Sequence, residues 1–288
     1  MRHAIFTIMQ NEPLFLPLWY RYYSQHFNPR DMFVLYHPLP DEEPNEIERT
    51  APAVAAFANL IRVYRDESFN HIWLREQVEN FAGFLVGSYD TVTFTEADEI
   101  IAVDPTKNND RSLIQWLNHW YCRDQIAARC TGYEVVHRFG EEPDMDLDRV
   151  LDREDYVLKD RGWWYRSVFY SKTLIWRTKP RWGEGFHQAF ELTYLTDTNS
   201  AQHTILELAC EPDLLLLHLH KVDYNAAVER WRRTSSRKWS AEDKRGIGGF
   251  QNRFEQESQL KDWWYKNADN ALYESKLVPM PAVMQTII

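Results

Sequence analysis

Over the first hundred residues, apolar runs too short for helices alternate with stretches whose apolar positions recur at helical spacing. HAIFTIMQ (3–10) reads as a buried strand, and NEPLFLPLWYRYYSQHF then carries apolar residues at a 3.6-residue period. MFVLYH (32–37) is the next predicted strand, followed by the loop PLPDEEPNE and a helix over 45–60. IRVYR (61–65), a helix over 71–87 and TVTFT (91–95) complete a β-α-β-α-β-α-β series. Such alternation predicts an α/β fold, with a mainly parallel mixed sheet of Rossmann type and helices on both faces. Ligands of such sheets bind outside the carboxyl ends of the strands.

Beyond residue 110 the pattern changes. SLIQWLNHWYCRDQIAARC (112–130) predicts a long helix and GYEVVHRF a strand. WWYRSVFY, TLIWRT, GFHQAFEL and DLLLLHLH read as short strands, and helices are expected over 223–234 and 251–268. The last segment, KLVPMPAVMQTII, reads as an extended tail against the body. With no repeat and no Gly/Ser linker, we expect one body: a domain over 1–225, with a helical C-terminal extension over 226–288 packed on it.

Composition narrows the choice of partner. The 288 residues carry 33 Lys and Arg against 43 Asp and Glu, a net charge of −10, which speaks against nucleic acid or an anionic membrane as partner. An anionic substrate would need local help, such as a metal ion. The longest apolar runs fall far short of the roughly 18 residues that cross a bilayer, and the N-terminus lacks a signal-peptide pattern. The expected location is therefore cytoplasmic, with no transmembrane segment. Cys122, Cys130 and Cys210 form no CxxC pair and predict neither disulfides nor a zinc knuckle.

Three groups stand at predicted strand ends: Asn11 and Glu12 after the first, Glu96, Asp98 and Glu99 after the fourth, and His218 and His220 closing DLLLLHLH. In an extended chain, residues two apart share a face, so Glu96 with Asp98 and His218 with His220 are each expected to point the same way. Paired carboxylates at a strand end suit Mg²⁺ or Mn²⁺, and paired imidazoles suit a ligand site; an isolated acidic ExDE also serves as a solvated turn. His187 in GEGFHQA fits a core residue or a second-site ligand, and on its own reads as core. RWRRTSSRKW (230–239) reads as a solvated helix end. GxSxG, HExxH, Walker-loop and GxGxxG patterns are absent.

The ordered series IFTIMQNEPLFLPLWYRYYSQHF, YDTVTFTEADEIIAVDP, YSKTLIWRTKPRWGEGFHQA and LLLHLHKVDYN resembles family-two-type glycosyltransferases of the GT-A fold, over residues 5 to about 225. Glu96 stands where that family generally has Asp, Gln10 where it has Lys, and His37 where many relatives have an acid. The resemblance implies transfer of a sugar from a nucleotide-sugar donor to a carbohydrate or glycoconjugate acceptor, with Mn²⁺ or Mg²⁺. Carried over, it implies that Asn11, Glu12, His37 and Glu96 line the nucleotide pocket. Asp98 binds the metal, with His218 or His220 as metal or diphosphate ligand; Glu99 is a neighbouring support, and His187 is another match for the family's downstream histidine. Such chemistry needs a cation such as Lys172 for the departing diphosphate and a general base, for which Glu184 is the first candidate and Asp243 and Glu242 are alternatives. An inverting outcome fits a single base. A non-catalytic carbohydrate- or nucleotide-binding protein on the same scaffold is the alternative. A nucleotidyltransferase would want a Gly-rich basic loop where NEPLFLPLW stands.

Overall fold

The computed structural model describes residues 1–10, 12–38, 51–57, 59–63, 68–107, 111–194, 201–235, 238–241, 243, 250–266 and 276–288. Its N-terminal part runs β1 (His3–Met9), α1 (Phe15–Tyr23), β2 (Met32–Tyr36), α2 (Pro52–Phe57), β3 (Asn59–Arg62), α3 (His71–Leu85) and β4 (Thr91–Phe94). These strands lie in the order β3-β2-β1-β4, all parallel, with Ile5 opposite Met32 and Ala4 opposite Val92. Every residue of β1 and β4 is buried, as strands covered on both faces require. Asn70 caps α3, its side chain accepting from the Trp73 amide at 2.8 Å.

The sheet then turns antiparallel. After β5 (Glu99–Val103) and α4 (Leu113–Tyr121) come β6 (Ala127–Val136), α5 (Leu147–Leu151), β7 (Trp163–Arg166) and β8 (Thr173–Trp176). β9 (Phe190–Tyr194) and β10 (Ala201–Ile205) form a separate two-stranded sheet, followed by β11 (Cys210–Lys221), α6 (Tyr224–Ser235), α7 (Glu257–Trp263) and β12 (Val278–Pro279). β8 joins β4 to β6, and β11 pairs parallel to β6 and antiparallel to β5. The fold is thus mixed α/β. One apolar core runs through it, from Trp19 and Phe94 to Trp116, Trp120 and the leucines of β11.

The helix expected over 45–60 is α2 within the described residues and gives way to β3 at Asn59; three further predicted elements differ, and one strand has no predicted counterpart. The helix expected over 112–130 ends at Tyr121, because Ala127 and Ala128 are drawn into β6 opposite Trp176 and Ile175. The GFHQAFEL strand opens instead with a 3-10 turn over Glu184–Phe186, where Gly185 and Phe186 both have φ of 60°. The helix expected over 251–268 contracts to α7, preceded by a 3-10 turn over Phe250–Arg253. β5, which the acidic stretch conceals, starts at Glu99 itself. The C-terminal segment lies along the body through β12 on β7 and the Val157 amide on the Ile288 carbonyl. No helix among the described residues is long and apolar enough to cross a membrane.

Candidate functional site

A cavity of about 220 Å³ opens at the carboxyl ends of β1, β2 and β4. Gln10, His37 and Glu96 follow those three strands and line it; Asp98 comes from the turn before β5, and His218 and His220 come from β11. Tyr170 and Lys172 enter ahead of β8, His187 after the 3-10 turn, and Arg230 from α6.

The expected convergence of Glu96 and Asp98 does not occur. The chain turns at Ala97 and Asp98, with the Glu99 amide donating to the Glu96 carbonyl at 3.0 Å, so the acids take separate partners. Lys172 Nζ lies 2.7 Å from Glu96 Oε2 and 2.6 Å from Glu99 Oε1. Glu99 is fully buried and also accepts from the Glu96 amide, whereas the Glu96 side chain is 38% exposed and its pairing is partly screened by solvent. Burial works against the Lys172 ammonium, but Glu96 and Glu99 outweigh it and its pKa is raised. Burial likewise pushes the Glu99 carboxyl up, against the pull of Lys172.

Asp98 meets Arg230 and the two imidazoles. Its Oδ2 is 2.5 Å from Arg230 Nη1, 3.6 Å from His220 Nδ1 and 3.9 Å from His218 Nε2. Burial disfavours its charge, but Arg230, then His220 and His218, hold the carboxyl well below the usual range. The histidine rings share a face of β11, 5.8 Å apart and nearly parallel. His218 Nδ1 lies 2.8 Å from Glu134 Oε1, a buried carboxylate on β6, so Nδ1 keeps its proton and Nε2 is left toward Asp98. Tyr170 stacks on that ring at 3.9 Å. Glu134 raises His218 against burial, while burial and Arg230 lower His220.

Asp98, His218 and His220 each offer a ligand atom, all within 4.8 Å of one another. The donor set and its spacing fit one divalent ion. Metal–ligand distances of about 2.0–2.2 Å span the 3.6 and 3.9 Å separations, and a carboxylate behind a ligating imidazole is the usual support.

The remaining candidates are scattered. Asn11 and Glu242 lie outside the described residues. Glu12 lines the cavity and accepts from Arg230 Nε at 2.9 Å. His37 lines it beside Trp73, with ring centres 5.0 Å apart. His187 Nδ1 is 2.7 Å from the Phe169 carbonyl, which leaves Nε2 as an acceptor; burial, then Lys172, lowers this imidazole to about 4. Glu184 is exposed and is not among the cavity-lining residues. Asp243 is not among them either: its carboxylate accepts from the His71 amide at 3.1 Å and from Ser240 Oγ at 2.8 Å, tying down the start of α3.

Sequence reasoning missed Glu134 and Arg230. RWRRTSSRKW reads as a solvated helix end, yet its first residue points inward, because Ala226, Arg230 and Thr234 recur at i, i+4 and i+8 on one face of α6. That spacing is visible in the sequence. Glu134 carries no comparable signal, since its partner is 84 residues away.

No family model and no curated protein matches the chain. Among solved structures, S. aureus TarS is similar with a TM-score of 0.35 and 11% identity, over 85% of this chain and 41% of that one. The mannosyltransferase PcManGT from Pyrobaculum calidifontis, in complex with GDP-Man and Mn²⁺, is similar with a TM-score of 0.31 and 13% identity, over 61% and 44%. A Bacillus anthracis protein assigned as a glucose-1-phosphate thymidylyltransferase, in complex with sucrose, follows with 0.29 and 7%, over 47% and 56%. The chain spans roughly half the length of each of these structures. Similarity at this level leaves the chemistry to be read from the cavity.

Proposed function

We propose that the protein is a nucleotide-sugar glycosyltransferase of GT-A type that works with Mn²⁺ or Mg²⁺. The observation that carries this reading is the Asp98, His218 and His220 group, backed by Glu134 and set at the carboxyl ends of a parallel sheet beside the buried Lys172 and the half-buried Arg230. Asp98, His218 and His220 would hold the ion, which supplies charge for the departing diphosphate when bound. Lys172 and Arg230 contribute fixed positive charge at the same place, positioned before any charge develops on a leaving diphosphate. Glu12 orients Arg230, while His37 and Gln10 line the end of the cavity where β1 and β2 finish. His187, neutral and with Nε2 as acceptor, is fitted to take a hydrogen bond from an acceptor hydroxyl.

A second reading is binding of a nucleotide or sugar without turnover. It is favoured by the positions of Glu184 and Asp243, neither of which lines the cavity. Thermal-shift titration with UDP, GDP, CMP and dTDP, with and without Mn²⁺, followed by assay of donor consumption, separates the two. The transferase reading expects one nucleotide to stabilise the wild type only with metal, donor turnover, and loss of both in Asp98→Asn. Metal-independent binding with no consumption of the matching nucleotide sugar favours the second, and unaltered binding and turnover in Asp98→Asn removes the metal assignment.

A further inference from the structure

Helix α6 begins four residues after His220, with the Ala226 amide on Asp223 Oδ1 at 2.9 Å, so its second turn folds back over the end of β11. Arg230 is thereby returned to His220. Its Nη1 donates to Asp98 Oδ2 at 2.5 Å and to His220 Nδ1 at 3.1 Å, while its Nε is held by Glu12 Oε1 at 2.9 Å. Burial by itself would lower the guanidinium, yet Asp98 and Glu12 raise it, so it is a permanent charge. Nη1 is therefore seated on two of the lone pairs that a metal ion would use. A ligand lone pair serves one cation at a time, and Nη1 and an ion at the same seat would also repel each other.

We propose that Arg230 is the resident cation of this seat, and that a divalent ion enters only by displacing Nη1 from Asp98 and His220. The inference rests on the reading of Asp98, His218 and His220 as a metal seat, and not on sugar transfer. Glu12 keeps the displaced guanidinium tethered, since its bond to Nε involves neither Asp98 nor His220. Arg230 is then a second cation beside the ion, placed for an anionic oxygen of a diphosphate. Arg233 provides an internal control: it lies 4.0 Å from Glu12 Oε2, carries the same charge, and makes no ion pair with Asp98 among the described residues.

The test is titration of the full chain with Mn²⁺ alone, with free ion read by electron paramagnetic resonance. Breaking a charge-assisted contact that competes with the ion is expected to tighten Mn²⁺ binding at least about ten-fold in Arg230→Met, against less than about three-fold in Arg233→Met. Asp98→Asn should bind no ion. Equal or weaker binding by Arg230→Met overturns the exchange while leaving the metal seat in place. Equal tightening in both arginine variants also overturns it, because the effect would then be one of general field. If neither wild type nor Arg230→Met binds Mn²⁺, the seat and the exchange fall together. Arg230→Lys covers the case in which the methionine variant does not fold. Its single ammonium cannot span Glu12 and Asp98 as the guanidinium fork does, so it too should bind Mn²⁺ more tightly than wild type, and equal or weaker binding again overturns the exchange.

Discussion

Gly132, in the middle of β6, offers a test of how the cavity wall is held. A Cβ at this position would stand 2.1 Å from the Tyr170 carbonyl carbon, 2.2 Å from its oxygen and 2.5 Å from the Ser171 nitrogen. These are backbone atoms and cannot rotate aside. Ordinary contact begins near 3.5 Å, so Gly132→Ala forces the 167–172 segment to retreat by about 1.4 Å. That segment is fastened to β6 by the Gly132 amide on Ser171 Oγ at 3.0 Å and the Ser167 amide on the Gly132 carbonyl at 2.9 Å. It carries the ring stacked on His218, the carbonyl that holds His187, and Lys172. Overpacking of this kind costs about 1–3 kcal/mol, which for a chain of this size lowers Tm by about 2–5 °C. Gly140→Ala is the control: φ there is +87° and nothing lies within 4 Å, so it suffers backbone strain alone and leaves the cavity intact. Differential scanning calorimetry with a Mn²⁺ titration reads both effects. A Gly132→Ala protein melting within about 1 °C of wild type, with unaltered ion binding, would refute the reasoning.

Two further outcomes follow from the buried charges. Lys172→Met leaves Glu99 buried without its cation and should cost about 3–5 kcal/mol near neutral pH. The stranded carboxyl has a raised pKa, so the folded state binds the extra proton and the loss should be smaller at pH 5 than at pH 8; chemical denaturation showing an equal loss at both would contradict this. The His187 imidazole should titrate near pH 4 by NMR, and a midpoint near 6.5 would show that it is not shielded as described. Because the unfolded chain binds that proton more readily, stability from this group is full above about pH 6.5 and falls as pH drops toward 4.

Local pattern settled much of the first hundred residues. β1, β2 and β4 are apolar runs bounded by polar residues, and each forms where its own sequence asks for it, because a strand buried on both faces admits little else. The imidazole pair was legible for the same reason: positions two apart on β11 share a face whatever the strand pairs with. The failures came where distant partners decide. Ala127 and Ala128 continue a helical pattern but lie in β6, because Trp176 and Ile175 are there to pair with them. Glu96 and Asp98 parted because the turn between them delivers one to Lys172 and the other to Arg230, 76 and 132 residues away.

Residue types and strand ends, written in the sequence, thus determined that carboxylates and imidazoles would stand at the edge of a parallel sheet. Only the tertiary structure decided which carboxylate meets which cation, that Glu134 sets the proton on His218, and that Arg230 already sits on the lone pairs of Asp98 and His220. Electrostatic pairing depends on distance in space and on burial, and neither has a period along the chain.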